Sequence, residues 1–323
     1  MFNLQTLKII IFIYAAFRLN SRMERFFSGV FKSGGSIAAM IELGRPWNGI
    51  IVALLTVIGS MMALQAIPVA SFILIGGVLT LIIYMAATIL NDIYDVEPDK
   101  INMPYRPLER NAIKRSTALN ACIFLYGLSV IISILVSFNY FIAILLMSVI
   151  SLFYSLPPFS AKDKGIWGNI VLSVSMIFTS MYAGFVLVTN SLIPSYEFLI
   201  TISLFTLSFC LISVLKDFKD IYGDKLNRKF TFVVRYDKNI SIVVSIIGTI
   251  LLLCTVYLMN LYFIKMMSFI YISFIIILFL FILEIMTYKK FSIELGEKTW
   301  AYTRIIVMFL AVSIFTFSFI QFY

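Results

Sequence analysis

The sequence predicts an all-α integral membrane protein in which nine helices cross the bilayer. Three observations predict it. Mean hydropathy is +1.01 with only 13% of the 323 residues charged, a balance outside the range of ordinary soluble domains. Runs long enough to cross a hydrocarbon layer, which takes about 20 helical residues, recur nine times. The basic residues alternate sharply between the connecting loops.

In order, the runs cover approximately 48–67, 70–90, 118–137, 139–156, 168–189, 196–215, 240–261, 266–287 and 300–322. Helices are the structure such runs adopt, because lipid offers no partner to an unsatisfied backbone group. Residues 1–46 precede them as an N-terminal arm, and 47–323 form the membrane domain. Within the arm, "LKIIIFIYAAF" is apolar between Lys8 and Arg18, too short to span and without a clear cleavage signature. It is expected to lie in the cytoplasmic interface.

The loops set the orientation. Lys and Arg number 6 in the arm, 5 after the second run, 2 after the fourth, 7 after the sixth and 4 after the eighth with Arg304 included, against Lys265 alone on the other side. By the positive-inside rule the arm and the even-numbered loops are cytoplasmic and the C-terminus lies opposite. The net charge of +9 is therefore a topology signal, and no nucleic-acid partner is expected. Cys122, Cys210 and Cys254 fall inside runs without paired spacing, and histidine is absent. Disulfides, His-based metal sites and a histidine base are excluded together.

The chemistry gathers at two helix ends. "NDIYDVEPDKINMPYRPL", residues 91–108, follows the second run with Asp92, Asp95 and Asp99, and "LKDFKDIYGD" follows the sixth with Asp217, Asp220 and Asp224. Both sets are spaced i, i+3, i+7, so each would share one face of a continuous helix. Pro98 is expected to stop the second helix near Glu97 and deliver Asp99 from the loop. Gly223 loosens the end of the sixth in the same way. Four runs separate the sets, an even number, so both emerge on the cytoplasmic side and can face one opening. The repeated spacing hints at duplication of a four-helix unit, without wider self-similarity to support it.

Six carboxylates at a low-dielectric mouth require compensating positive charge. All-oxygen ligands suit a hard cation, and Mg²⁺ fits because it takes one or two carboxylates, keeps water and leaves positions for phosphate oxygens. Lys100, Arg106 and Arg110 follow the first set, Lys216, Lys219, Lys225, Arg228 and Lys229 surround the second, and Lys162 and Lys164 lie between. A diphosphate held there by metal and bases is a leaving group, and an apolar tail below it describes a prenyl diphosphate. Ionisation would yield an allylic cation that needs exclusion of water and aromatic faces.

These residues resemble a known family. Asn91 to Asp95, Asp99, Ile101, Asn102, Pro104, Arg106 and Pro107 are similar to the first signature of the UbiA-type intramembrane prenyltransferases, and Asp217, Asp220, Gly223 and Asp224 to the second. Arg45, Pro46 and Asn48 resemble the family's entry to its first helix. "YSLPPFSAK" from Tyr154, with Gly168 and Asn169, resembles the loop after its fourth, and Thr231 a threonine after its second motif. The resemblance covers roughly residues 42 to 322. It implies a nine-helix bundle around a cavity opening to lipid, Mg²⁺ dependence, a polyprenyl diphosphate donor and a lipophilic, usually aromatic, acceptor.

It also implies roles: Asp92, Asp95, Asp220 and Asp224 for metal with Asp99 and Asp217 in support, Asn91 and Arg106 near the diphosphate, Lys162 as a further phosphate contact, and Tyr154 and Ser155 near the reacting end. Arg45 and Asn48 are counted as substrate-binding candidates beside their ordinary roles as an interfacial charge and a helix-end polar group. Two departures stand out. "KLNRKFT" follows Asp224 where the family often has a glycine before its threonine, and "FVV" replaces the common "LPV". Both bear on acceptor choice and not on the metal site.

Three competing readings remain. A membrane terpene cyclase would use the same site and quench the cation internally. A cation transporter or channel would need ionisable groups along a mid-membrane path, whereas these cluster at one rim. A CDP-alcohol phosphotransferase would carry an Asp-Gly-x-x-Ala-Arg run, which is missing. Glu284, an acid inside the eighth run, is left outside the site because Lys289 or Lys290 suffices to pair with it.

Overall fold

The computed structural model describes residues 35–290 and 292–322; the interfacial helix expected between Lys8 and Arg18 lies outside them. The elements are α1 Gly35–Gly44, α2 Pro46–Leu64, α3 Ala70–Tyr94, α4 Val96–Asn102, α5 Arg115–Val136, α6 Phe138–Ser155, α7 Ile166–Thr189, α8 Tyr196–Phe218, α9 Ile221–Leu226, α10 Phe232–Tyr236, α11 Lys238–Ile264, α12 Met267–Lys289 and α13 Ile293–Phe322. Among the described residues nine are long and apolar enough to span a membrane: α2, α3, α5, α6, α7, α8, α11, α12 and the Lys298–Phe317 stretch of α13. Each expected run coincides with one of them.

Consecutive spanning helices pack on one another, and α13 returns against α2 to close the ring. α2 also crosses α7 at very short range. A Cβ at Gly59 would stand 2.2 Å from the Met181 carbonyl oxygen, and one at Gly184 1.9 Å from that of Thr56. Ser60 Oγ donates across the crossing to the Gly184 oxygen at 2.9 Å. Small residues therefore take the place of the hydrophobic drive that lipid cannot supply between helices. Toward the outside the bundle is apolar, with Phe124, Ile131 and Leu135 of α5 exposed, the surface a lipid solvent calls for.

The described part of the N-terminal arm is not separate from the bundle. α1 packs on α3 and buries Ala39 and Leu43 against Ala86, Ile89 and Leu90. Arg110, in the loop after α4, holds Glu42 of α1 through both carboxylate oxygens at 3.1 and 2.7 Å. Glu284 differs from expectation. Its partners are Ser245 and Thr249 of α11, the latter at 3.0 Å, in place of a lysine. The two hydroxyls meet one carboxylate oxygen without carrying a second charge into the span, while Glu284 Oε2 is buried with no hydrogen-bond partner among the described residues.

Candidate active site

Both acidic motifs are built the same way, and not quite as their spacing predicts. α3 ends at Tyr94, Asp95 turns the chain at φ −105° and ψ 8°, and α4 restarts at Val96. α8 runs through a tight final turn to the level of Lys219, Asp220 turns at φ −99° and ψ 0°, and α9 restarts at Ile221. In each break the middle aspartate's N–H donates to the first aspartate's carbonyl, at 3.2 and 3.1 Å. The third aspartate's N–H donates to the middle one's carbonyl, at 2.8 Å in both.

Asp99 and Asp224 are thus on short helices and not in loops. Pro98 is compatible with this because it occupies the first turn of α4, where a missing N–H costs nothing. Gly223 lies inside α9, where it permits a close approach. α4 and α9 pack together, and a Cβ at Gly223 would fall 2.1 Å from the Asn102 side-chain oxygen. That contact brings the two motifs face to face.

Between them and the bundle lies a cavity of about 290 Å³. Asp95, Asp99, Asp217, Asp220 and Asp224 line its rim, with Arg45, Asn48, Asn91, Arg106, Tyr154 and Lys162. Its deeper wall is apolar and aromatic, with Tyr84, Met147, Met176, Phe209 and Trp300. Two of the expected site residues are not in its wall. Asp92 is buried behind it, accepting from Arg45 Nη2 at 2.6 Å on both oxygens and from Arg106 Nη1 at 3.3 Å. Ser155 Oγ donates to Asn91 Oδ1 at 3.3 Å, which makes it a support for Asn91.

The rim is threaded with ion pairs. Arg106 also holds Asp99, and Lys216 Nζ reaches both oxygens of Asp217 at 2.8 Å. Lys162 Nζ lies 2.8 Å from Asp95 Oδ2 and donates to the carbonyl and side-chain oxygens of Asn91, both at 3.3 Å. Lys229 pairs with Asp95 from the other side and with Asp163 at 3.3 Å. The loops bearing these two lysines are tied by a hydrogen bond from Phe230 N to Asp163 O at 3.1 Å.

Burial would raise the Asp95 carboxyl, but Lys162 and Lys229 outweigh it and hold the group below its usual range. Asp99 is pushed up to about 6, by burial first and then by Asp92 and Asp95, against the pull of Arg106. Asp224 is pushed up to about 7 by burial and by Asp217 and Asp220.

Among the described residues no three acids are close enough to hold a metal ion unaided. The donor set nevertheless fits Mg²⁺, which needs one or two carboxylates and completes its shell with water and phosphate oxygens. Asp220 Oδ1 is buried with no hydrogen-bond partner, an oxygen available to such an ion beside Asp224.

Comparison with known proteins decides the family. The model of the UbiA prenyltransferase family matches residues 52–312. The chain belongs to the UbiA prenyltransferase family. A digeranylgeranylglyceryl phosphate synthase from Pyrococcus horikoshii is 31% identical over 219 residues, 65% of this chain and 73% of that protein. One from Sulfurisphaera tokodaii is 28% identical over 229 residues, 69% of this chain and 78% of that protein. A UbiA homologue from Archaeoglobus fulgidus, solved with DMAPP and Mg²⁺, shares the fold with a TM-score of 0.63 at 17% identity, covering 86% of this chain and 98% of that one. This UbiA-family chain is a multi-pass membrane prenyltransferase.

Three features of the UbiA-type site escape sequence reading. Lys229 is one of seven basic residues in its loop, and nothing in the string marks it as Asp95's partner. Lys216 likewise sits beside Asp217 with no distinguishing pattern. α7 carries a π turn at Val174–Phe178 that presents Ser175, Met176 and Ile177 to the cavity, a kind of irregularity common at functional sites.

Proposed function

We propose that this chain transfers a polyprenyl group from its diphosphate, with Mg²⁺, to the hydroxyl of an isoprenoid glyceryl phosphate in the bilayer. The observation that carries the reading is a single cavity with aspartates and paired bases at one end and an aromatic, apolar wall at the other. The names of the relatives support a glyceryl phosphate acceptor over the aromatic one expected from the wider family, and geranylgeranyl as the chain. The cytoplasmic placement of the rim belongs to the same proposal and rests on the distribution of lysine and arginine.

Asp220 and Asp224, with Asp95 and Asp99 opposite, would hold the metal, and Asp92 fixes Arg45 and Arg106. Bound there, Mg²⁺ supplies Lewis-acid stabilisation of the departing diphosphate. Lys162, Lys229 and Arg106 donate to its oxygens, each exchanging a carboxylate partner for a phosphate one. The C1–O bond breaks with its electron pair on diphosphate. Tyr84, Phe209 and Trp300 present π-faces to the allylic cation, and the apolar wall excludes water that would quench it. The acceptor hydroxyl forms the new C–O ether bond, and its proton passes to the departing diphosphate.

The test is Asp220→Ala in detergent with geranylgeranyl diphosphate, Mg²⁺ and geranylgeranylglyceryl phosphate. Loss of Mg²⁺-dependent diphosphate release from a protein with an unchanged melting profile is expected, and full turnover would overturn the reading. A cyclised hydrocarbon or alcohol formed by the wild type without acceptor would replace transfer with cyclisation.

A further inference from the structure

We infer that Arg304 anchors the acceptor's anionic headgroup, a phosphate monoester on an isoprenoid glycerol ether. This rests on the reaction proposed above and adds the group that selects its second substrate. Arg304 lies on α13 inside the apolar stretch Lys298–Phe317 and lines the same cavity as the aspartates. Five other cations line that cavity, and each is matched to a carboxylate: Arg45 to Asp92, Arg106 to Asp99, Lys162 and Lys229 to Asp95, and Lys216 to Asp217. Arg304 is matched to none among the described residues, and its Nε is buried with no hydrogen-bond partner.

An arginine without a carboxylate partner is costly in a spanning helix, and long basic side chains ordinarily escape by reaching the water interface. This one lines the cavity instead. Its depth follows from α13. Gly296 packs against Phe218, where a Cβ would fall 2.4 Å from the ring, so that level of α13 adjoins Asp217. Arg304 is eight residues further, about 12 Å along the axis, and helical side chains lean back toward the N-terminus. The guanidinium therefore lies below the acids and beside Trp300 and Phe209, whose rings are 6.4 Å apart.

With the donor's diphosphate at the rim, its C1 points down into this region. A glycerol hydroxyl poised to attack C1 brings a phosphate on the neighbouring carbon to the level of Arg304. A planar guanidinium suits that ligand, since it binds phosphate through two parallel N–H bonds. The donor does not need it, because its charge is met by metal and the paired bases.

The experiment compares wild type, Arg304→Gln and Arg304→Lys in neutral-lipid nanodiscs. It measures KM for geranylgeranyl diphosphate, for geranylgeranylglyceryl phosphate and for the dephosphorylated diol, together with direct binding of the phosphorylated acceptor without donor. For Arg304→Gln the phosphorylated acceptor should bind about 10- to 100-fold more weakly, with donor KM and diol KM moving less than about twofold. Arg304→Lys should recover part of the loss, and it carries the comparison alone if the glutamine variant does not fold. Equal weakening of donor, diol and phosphorylated acceptor would overturn the assignment, as would an unmoved acceptor affinity. Wild type that neither binds nor prenylates the phosphorylated acceptor would overturn the proposed reaction as well. Competition by phosphatidic acid as strong as by the glycerol ether would make the site a general lipid-phosphate contact and overturn its role in selecting the acceptor.

Discussion

Lys229 forms an ion pair with Asp95 across 134 residues of sequence, joining the segment after the second acidic motif to the centre of the first. The pair is part-buried, so its charges are poorly screened, and Lys229 competes for a carboxylate that a divalent cation also needs. Lys229→Met should lower the Mg²⁺ concentration that half-saturates diphosphate release. It should also raise the donor KM by roughly tenfold through loss of a charge-assisted phosphate contact. Mg²⁺ titrations at fixed donor, followed by donor titrations at saturating Mg²⁺, separate the two effects. Combined with Asp95→Asn the changes should be non-additive.

The Gly223–Asn102 approach sets the separation of the motifs. Gly223→Ala places a methyl group 2.1 Å from the Asn102 oxygen, and α4 and α9 must shift apart to admit it. A displacement near 1 Å at a reacting centre costs on the order of 100-fold in rate, so kcat should fall by about that factor while the melting temperature changes little. Gly223→Ala with Asn102→Ala removes the obstruction and should recover most of the activity. A double variant as slow as the single one would show that spacing is not the cause.

How far the site was legible in the sequence follows from which forces act locally. The spanning helices were readable because hydrocarbon thickness imposes length and composition on each run separately, and the alternation of basic loops needs no knowledge of packing. The carboxylates were readable because few acids occur and their spacing repeats. The break at Asp95 was not. A proline at position 98 is compatible both with a helix ending near Glu97 and with a new helix starting at Val96, and only the packing of α4 on α9 selects the second. Asp92, chosen as a metal ligand, turns instead to Arg45, a partner 47 residues away. Arg304 was counted as one more cytoplasmic charge, although its place in the cavity wall depends on α13 closing the ring against α2.

The departure from the family's glycine after Asp224 has a conformational counterpart. Arg228 adopts φ +54°, the left-handed region that favours glycine and costs other residues about 1–2 kcal/mol. Arg228→Gly should release that strain, less the roughly 0.5–1 kcal/mol of backbone entropy glycine brings, and so leave stability unchanged or slightly raised. Arg228→Val should lower it. Arg228 is exposed and outside the cavity wall, so melting temperatures should move without a matching change in donor KM.

Glu109, which is not among the proposed metal ligands, provides a test of pH dependence. Both of its carboxylate oxygens are buried and reached by no donor from another residue. Burial first, then Asp99 and Asp92, push the group up from 4.5 to about 7 against the pull of Arg106. The folded chain therefore binds this proton more tightly than the unfolded one. The stabilisation is fully present below pH about 4.5 and is lost as pH rises through about 7. Melting temperature measured in detergent without added divalent cation should fall between pH 5 and pH 8, and Glu109→Gln, which keeps the shape without the titration, should flatten that fall. The flattening will be incomplete, because Asp99 and Asp224 are raised in the same direction. A glutamine variant with the full wild-type slope would assign the dependence to groups other than Glu109.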